Sequence, residues 1–134
     1  MKNGLSFDIE DGFQVENLRA AVPRTQWGTL PLRAEANTRR ILALLRNHGT
    51  KATFFFLGVA EKCLQPVQEV NRERHEIATH GYGHVLVYSL TADPFREGIR
   101  RSKQLPEDLI EKPVLGYRAP IFRSSMNRCG PSMC

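Results

Sequence analysis

The sequence predicts an α/β fold of parallel strands with alternating helices, and three observations carry that prediction. Strand-like and helix-like segments alternate at a spacing of roughly 25 to 35 residues, the rhythm of βαβ units with right-handed crossovers. Residues 52–57 form an unbroken apolar run that is rich in aromatics and too short for a helix, as expected of a strand buried on both faces of a parallel sheet. Charged and histidine residues fall where the strands should end, the edge at which parallel α/β folds gather their working groups.

The first strand is read at residues 5–10, with Leu5, Phe7 and Ile9 on one face, and it runs into the acidic turn Glu10, Asp11, Gly12. Residues 13–33 have no period and contain Pro23, Gly28 and Pro31, so a long connection is expected there, of the kind that often carries function. From Glu35 onward Ile41, Leu42, Leu44 and Leu45 make one stripe, and Asn47, His48 and Gly49 stop that helix. After the strand at 52–57, Gly58 opens a second helix-like segment that reaches about Arg72. Residues 76–79 lead as a third strand into His80, Gly81, Tyr82, Gly83 and His84. Thr91 should cap a third helix with Asp93 and Pro94 in its first turn, extending towards Ile110 although Gly98 and Pro106 weaken it. Residues 114–118 read as a fourth strand closed by Ala119 and Pro120, and no internal repeat is found.

The chain has 134 residues, 41% hydrophobic and 25% charged, the makeup of one globular domain. No apolar run is long enough for a secretory signal or a membrane span, which places the protein in the cytoplasm as an expectation. Cys63, Cys129 and Cys134 are odd in number and lack a C-x-x-C spacing, so free thiols are expected. The formal charge of +5 invites nucleic acid, but the basic residues are spread out, and the pairs Arg39-Arg40 and Arg100-Arg101 lie in helix-like stretches. Solvated helix faces explain them, and no nucleic-acid partner is expected.

Chemistry concentrates at three strand ends: Asp8, Glu10 and Asp11 after the first, His80 and His84 after the third, Arg118 after the fourth. A His-x-x-x-His spacing brings two imidazoles to one ion if the segment turns as a helix. With a carboxylate from another strand it makes the two-histidine, one-carboxylate set of catalytic zinc sites, which leaves a position open. The competing reading is a strand cap and a surface histidine. His48, at a helix C-terminus, and His75, before a strand, are read as structural. Three acids within four residues can divide metal ligation from proton abstraction. A solvated turn competes for Asp11 beside Gly12, and less so for Asp8 between Phe7 and Ile9, where an unpaired buried carboxylate would be costly. Arg118 would supply a countercharge to Asp8 and fix its orientation.

Residues 6–11, 35–40, 51–58, 80–84 and 116–120, in that order and spacing, resemble the polysaccharide deacetylase family, also called carbohydrate esterase family 4. The likeness covers residues 4 to about 120, and it is greatest to the branch associated with bacterial exopolysaccharide synthesis. The resemblance implies the N-terminal portion of a deformed (β/α) barrel that deacetylates a polysaccharide or oligosaccharide with a divalent metal, usually zinc. It implies Asp8 as catalytic base, His80 and His84 as metal ligands, and Arg118 as the residue that orients the base. The metal carboxylate stays open between Glu10 and Asp11, with the shorter Asp11 preferred. After Pro120 the amphipathic period is lost, and two of the three cysteines fall in the last six residues. Residues 121–134 are therefore expected to be a frameshifted or truncated tail after a partial deacetylase domain at 1–120, lacking the family's later motifs. Such a chain is expected to be inactive or impaired, or to serve as a non-catalytic metal-binding or interaction fragment. It is also expected to self-associate through an exposed sheet edge.

Overall fold

A computed structural model describes residues 3–58 and 64–121. The three cysteines, and residues 122–134 of the expected tail, lie outside the described residues.

Three strands, β1 (Ser6–Ile9), β2 (Thr53–Phe56) and β3 (Glu76–Thr79), form a wholly parallel sheet in the order β1-β2-β3. Phe7 lies opposite Phe54, and Phe54 opposite Ile77, so the register aligns the three carboxyl ends at Ile9, Phe56 and Thr79. Helix α1 (Ala34–Asn47) links β1 to β2, α2 (Leu64–Arg72) precedes β3, and α3 (Ala92–Ile110) follows it. Strand and helix therefore alternate as the sequence implies. The core gathers on the helix side of the sheet, where Phe54, Phe56, Ile9 and Ile77 meet Leu42 and Leu45 of α1, Val67 and Val70 of α2, and Ile110 and Val114.

The helices end where local chemistry stops them. Gly49 takes φ +60° just past α1, a conformation that costs glycine nothing. The start of α1 has no cap from its own residue Arg33; Asp11 supplies it from across the chain, its Oδ1 accepting from the amides of Arg33 (2.7 Å) and Ala34 (3.2 Å). That contact ties the two ends of the long 12–33 connection together. α3 continues through Pro106, which is buried, and ends at Glu111 in the left-handed region. Charged pairs lace the outer helix faces: Arg39 with Glu35 (2.7 Å) and Glu69 (3.0 Å), Arg46 with Glu73, and Arg100 with Glu97 (2.8 Å). Each is worth little singly.

Three expectations are corrected. β2 is buried on one face only; Thr53 and Phe55 are half-buried on the other, where the Arg118 guanidinium covers the Phe55 ring at 4.0 Å. The expected fourth strand shrinks to one parallel bridge between Thr79 and Tyr117. Pro113 has no amide to offer, and the amide of Val114 goes to Glu107 Oε1 of α3 (2.8 Å), so pairing begins only at Gly116. The stretch between His80 and His84 is a loop, with Gly81 at φ +84° and His84 at φ +50°, where a helix was the condition for bringing the rings together. Among the described residues, no helix is long and apolar enough to cross a membrane.

Candidate metal centre

The carboxyl edge of the sheet carries the site. β1 ends at Ile9, so Glu10 is the first residue beyond the strand, while Asp8 sits within it on the face opposite Ile9. The carboxyl end of β2 holds the histidine loop: the Gly58 amide donates to the Gly81 carbonyl (2.7 Å), and any Cβ at Gly58 would stand 2.9 Å from Tyr82. Thr79, the last residue of β3, accepts from the Gly81 amide (3.1 Å) and donates to Ser102 Oγ of α3 (2.7 Å). These constraints support His84 in a left-handed conformation that a non-glycine residue adopts only at a cost of about 1–3 kcal/mol.

The loop turns both imidazoles onto Glu10. Glu10 Oε2 lies 2.9 Å from His84 Nε2 and 3.9 Å from His80 Nε2, and the three residues can each offer one donor atom within 4.8 Å of the others. Both histidines are buried. Glu10 Oε2 is buried and, among the described residues, takes part in no hydrogen bond despite its 2.9 Å contact with His84. Lone pairs facing one another in a dry site are costly unless a cation lies among them. His80 Nδ1 is 3.0 Å from the Arg118 carbonyl, which fixes the proton on Nδ1 and leaves Nε2 as donor to a metal. Burial lowers the His80 pKa below its ordinary value, against the opposing pull of Asp8 and Glu10, and favours the neutral ring that ligation requires. His84 Nδ1 is buried without a hydrogen-bond partner among the described residues.

Asp11 does not join this cluster. Its carboxylate is committed to the α1 amides, so the acid that the fold presents to the histidines is Glu10, against the sequence preference for Asp11. The shorter side chain, one residue farther from the strand, is turned to the helix end.

Beside the cluster, Arg118 Nη1 donates to Asp8 Oδ1 (2.7 Å) and Nη2 to Ser6 Oγ (2.6 Å), while the guanidinium rests on Phe55. Asp8 is part-exposed, and its charge is balanced by this pair rather than stranded in the core. Ser6 and Phe55 were not singled out from the sequence. Strand alternation puts Ser6 on the Asp8 face, and the register sets Phe55 opposite Asp8, so both were in principle accessible to the pattern. His75 is structural, as read: its Nδ1 accepts from the Ala52 amide (3.3 Å) and its ring packs 5.3 Å from Phe54.

Comparison with known proteins gives a consistent result. The sequence profile of the family described as polysaccharide deacetylase matches residues 26–128. A Bacillus cereus peptidoglycan-N-acetylglucosamine deacetylase is 36% identical over 69 residues, covering 51% of this chain and 25% of that protein. A Helicobacter pylori peptidoglycan deacetylase is 30% identical over 92 residues, covering 68% of this chain and 31% of that protein. Among solved structures, a Mycobacterium smegmatis protein assigned to the polysaccharide deacetylases superposes with a TM-score of 0.74 at 27% identity, covering 92% of this chain and 44% of that one. The chain thus spans about a quarter to a third of these two curated relatives.

Proposed function

We propose, because this chain belongs to the polysaccharide deacetylase family, that it carries the metal-binding part of an enzyme that removes acetyl groups from N-acetylated sugars of a polysaccharide. Glu10, His80 and His84 would hold a divalent cation, Asp8 would act as the base, and Arg118 would orient it. The observation that carries this reading is the buried Glu10 Oε2, which has no hydrogen-bond partner among the described residues and faces two imidazole nitrogens. Two histidines and a carboxylate suit zinc, with a coordination position left open. The curated relatives are named for peptidoglycan deacetylation, which supports an acetylated polysaccharide as the substrate class.

A cation held there supplies Lewis acidity towards an acetamido carbonyl and towards water. Everything else falls to the chain. Asp8, held at one oxygen by Arg118, would accept the proton of the attacking water. Arg118 keeps that carboxylate aimed, and its own angle is fixed by Ser6 and by the Phe55 ring, a stacking contact worth about 0.5–2 kcal/mol. The Arg118 carbonyl holds the His80 ring in the tautomer that ligation needs.

Zinc calorimetry on the chain, beside Glu10→Gln, His80→Ala and His84→Ala, tests this reading. One zinc per chain, weakened by each substitution, is expected. A folded chain that takes up no zinc would overturn it. Zinc uptake without acetate release from N-acetylated chitooligosaccharides would support the second reading, a metal-binding segment that does not itself hydrolyse.

A further inference from the structure

The two histidines of the candidate centre are held by different means. His80 is set at both ends, its amide donating to the Phe56 carbonyl (2.8 Å) and its Nδ1 meeting the Arg118 carbonyl at 3.0 Å. His84 has no such anchor: its Nδ1 is buried without a hydrogen-bond partner among the described residues, whereas a ligating imidazole ordinarily takes its orientation from the group at its other nitrogen. The aim of His84 therefore has to come from the backbone of the loop, which holds it at φ +50°.

That backbone is tied to α3 through a buried chain of hydroxyls. The Gly81 amide meets Thr79 Oγ1 at 3.1 Å, Thr79 Oγ1 meets Ser102 Oγ at 2.7 Å, and Ser102 Oγ meets the Ile99 carbonyl at 2.9 Å. Backbone groups fix the direction at both ends, since an amide only donates and a carbonyl only accepts. Every proton of the chain thus points from the loop towards α3, and each bond polarises the next. Thr79 and Ser102 are both buried, so deleting either hydroxyl strands a polar group that water does not reach. Gly58 leaves room for the contact, because a Cβ there would stand 3.1 Å from Ser102 Cβ. Arg101, the neighbour of Ser102, adds an exposed grip: its guanidinium lies 4.0 Å from the Tyr82 ring centroid and donates to the Tyr82 hydroxyl (2.8 Å).

We propose that Thr79 and Ser102 are positioning residues for the metal centre, their hydroxyl chain aiming His84 by holding the Gly81 turn against α3. The inference rests on the metal reading and extends it to a helix that supplies no ligand. Losing the outer partner of a ligating histidine weakens metal binding by about 10- to 100-fold, and the same range is expected where that partner acts through the main chain.

Zinc calorimetry and the visible spectrum of the cobalt-loaded chain test this on wild type, Thr79→Val, Thr79→Ser and Ser102→Ala, with Val70→Ala as a core truncation in α2. Circular dichroism establishes which variants fold, and Ser102→Ala carries the test if Thr79→Val does not. Thr79→Val, which keeps the shape and removes the hydroxyl, and Ser102→Ala should each bind zinc about tenfold more weakly or worse. Both should also alter the cobalt absorption, which follows ligand geometry. Thr79→Ser should restore affinity and spectrum, and Val70→Ala should lower the melting temperature while leaving both unchanged. Wild-type affinity and spectrum in the folded hydroxyl-deleted variants, no rescue by Thr79→Ser, or an equal zinc loss in Val70→Ala would each overturn the proposal. In the metal-free chain, Ser102→Ala should speed exchange of the Gly81 amide and shift the His84 ring signals in NMR, although Thr79 stands between; unchanged exchange and shifts would sink the hydroxyl chain whatever zinc does. A wild type that takes up no zinc would remove the metal reading alone and leave the positioning of His84 to this last measurement.

Discussion

Asp11 follows Glu10 directly, yet its carboxylate is spent on the first amides of α1 while Glu10 turns to the histidines. The two acids should therefore separate under mutation. Asp11→Ala should cost about 1 kcal/mol of stability, the usual loss for a helix cap, and leave zinc affinity close to wild type. Glu10→Gln should keep the melting temperature but weaken zinc by more than about 100-fold, the upper range for losing a ligand's supporting partner. Calorimetry and thermal melts on the two variants decide it, and reversed outcomes would return the ligand role to Asp11. Arg118→Gln is expected to retain zinc through the unchanged backbone carbonyl while any acetate release falls by about 100-fold or more, as for a misaligned general base. At this scale the sequence was legible where residue type and spacing are informative: Asp8, His80, His84 and Arg118 do converge. It could not choose between Glu10 and Asp11, because alternation assigns faces only inside a strand, and β1 ends at Ile9.

The helix α1 was legible from its apolar period and its Gly49 stop, which are local signals, although Leu44, expected on the buried stripe with Leu42 and Leu45, is exposed. The segment 114–118 failed because pairing is not local: the Val114 amide is claimed by Glu107 of α3, a competition invisible in an alternating pattern. Gly116 shows how close that packing is, since a Cβ there would stand 2.9 Å from Ala78 Cβ. Gly116→Ala should destabilise the fold by about 1–3 kcal/mol, as overpacking does, and Ala78→Gly should recover part of that loss in the double variant. Purely additive losses in urea melts would contradict this contact. Between β2 and β3, His75 gives the stability a pH dependence. Burial holds its folded pKa below the ordinary value, Lys51 adds to that, and Glu73 opposes it. The unfolded chain therefore binds the proton more readily, so this contribution is complete above about pH 6.5 and is lost as pH falls towards the folded pKa. Between pH 7.5 and 5.5 the urea midpoint should drop more for the wild type than for His75→Gln; equal drops would refute the assignment.

In the molecule as a whole, a parallel sheet gathers every group of the candidate centre at one edge, and the helices stand on the core side. β1 pairs only with β2 among the described residues, and Leu115 is 85% exposed beside Tyr117, so one unpaired strand edge and apolar side chains face outward. Open edges of this kind template association. The 134-residue chain should show a concentration-dependent mass in light scattering, and a monomer unchanged over a hundredfold dilution series would count against it. The long connection was legible as a connection but not in its geometry, because its shape comes from Asp11 reaching α1 and from Phe13 meeting Trp27, contacts that no periodicity encodes. Arg118 carries a last implication, for anyone who would redesign the centre. Its side chain steers Asp8 and its main-chain oxygen steers His80, so the aim of the base and the setting of a metal ligand share one mounting point. Moving the 116–120 backbone to tune one would detune the other, and independent control of the two is to be sought at Ser6, whose hydroxyl accepts from the Arg118 guanidinium.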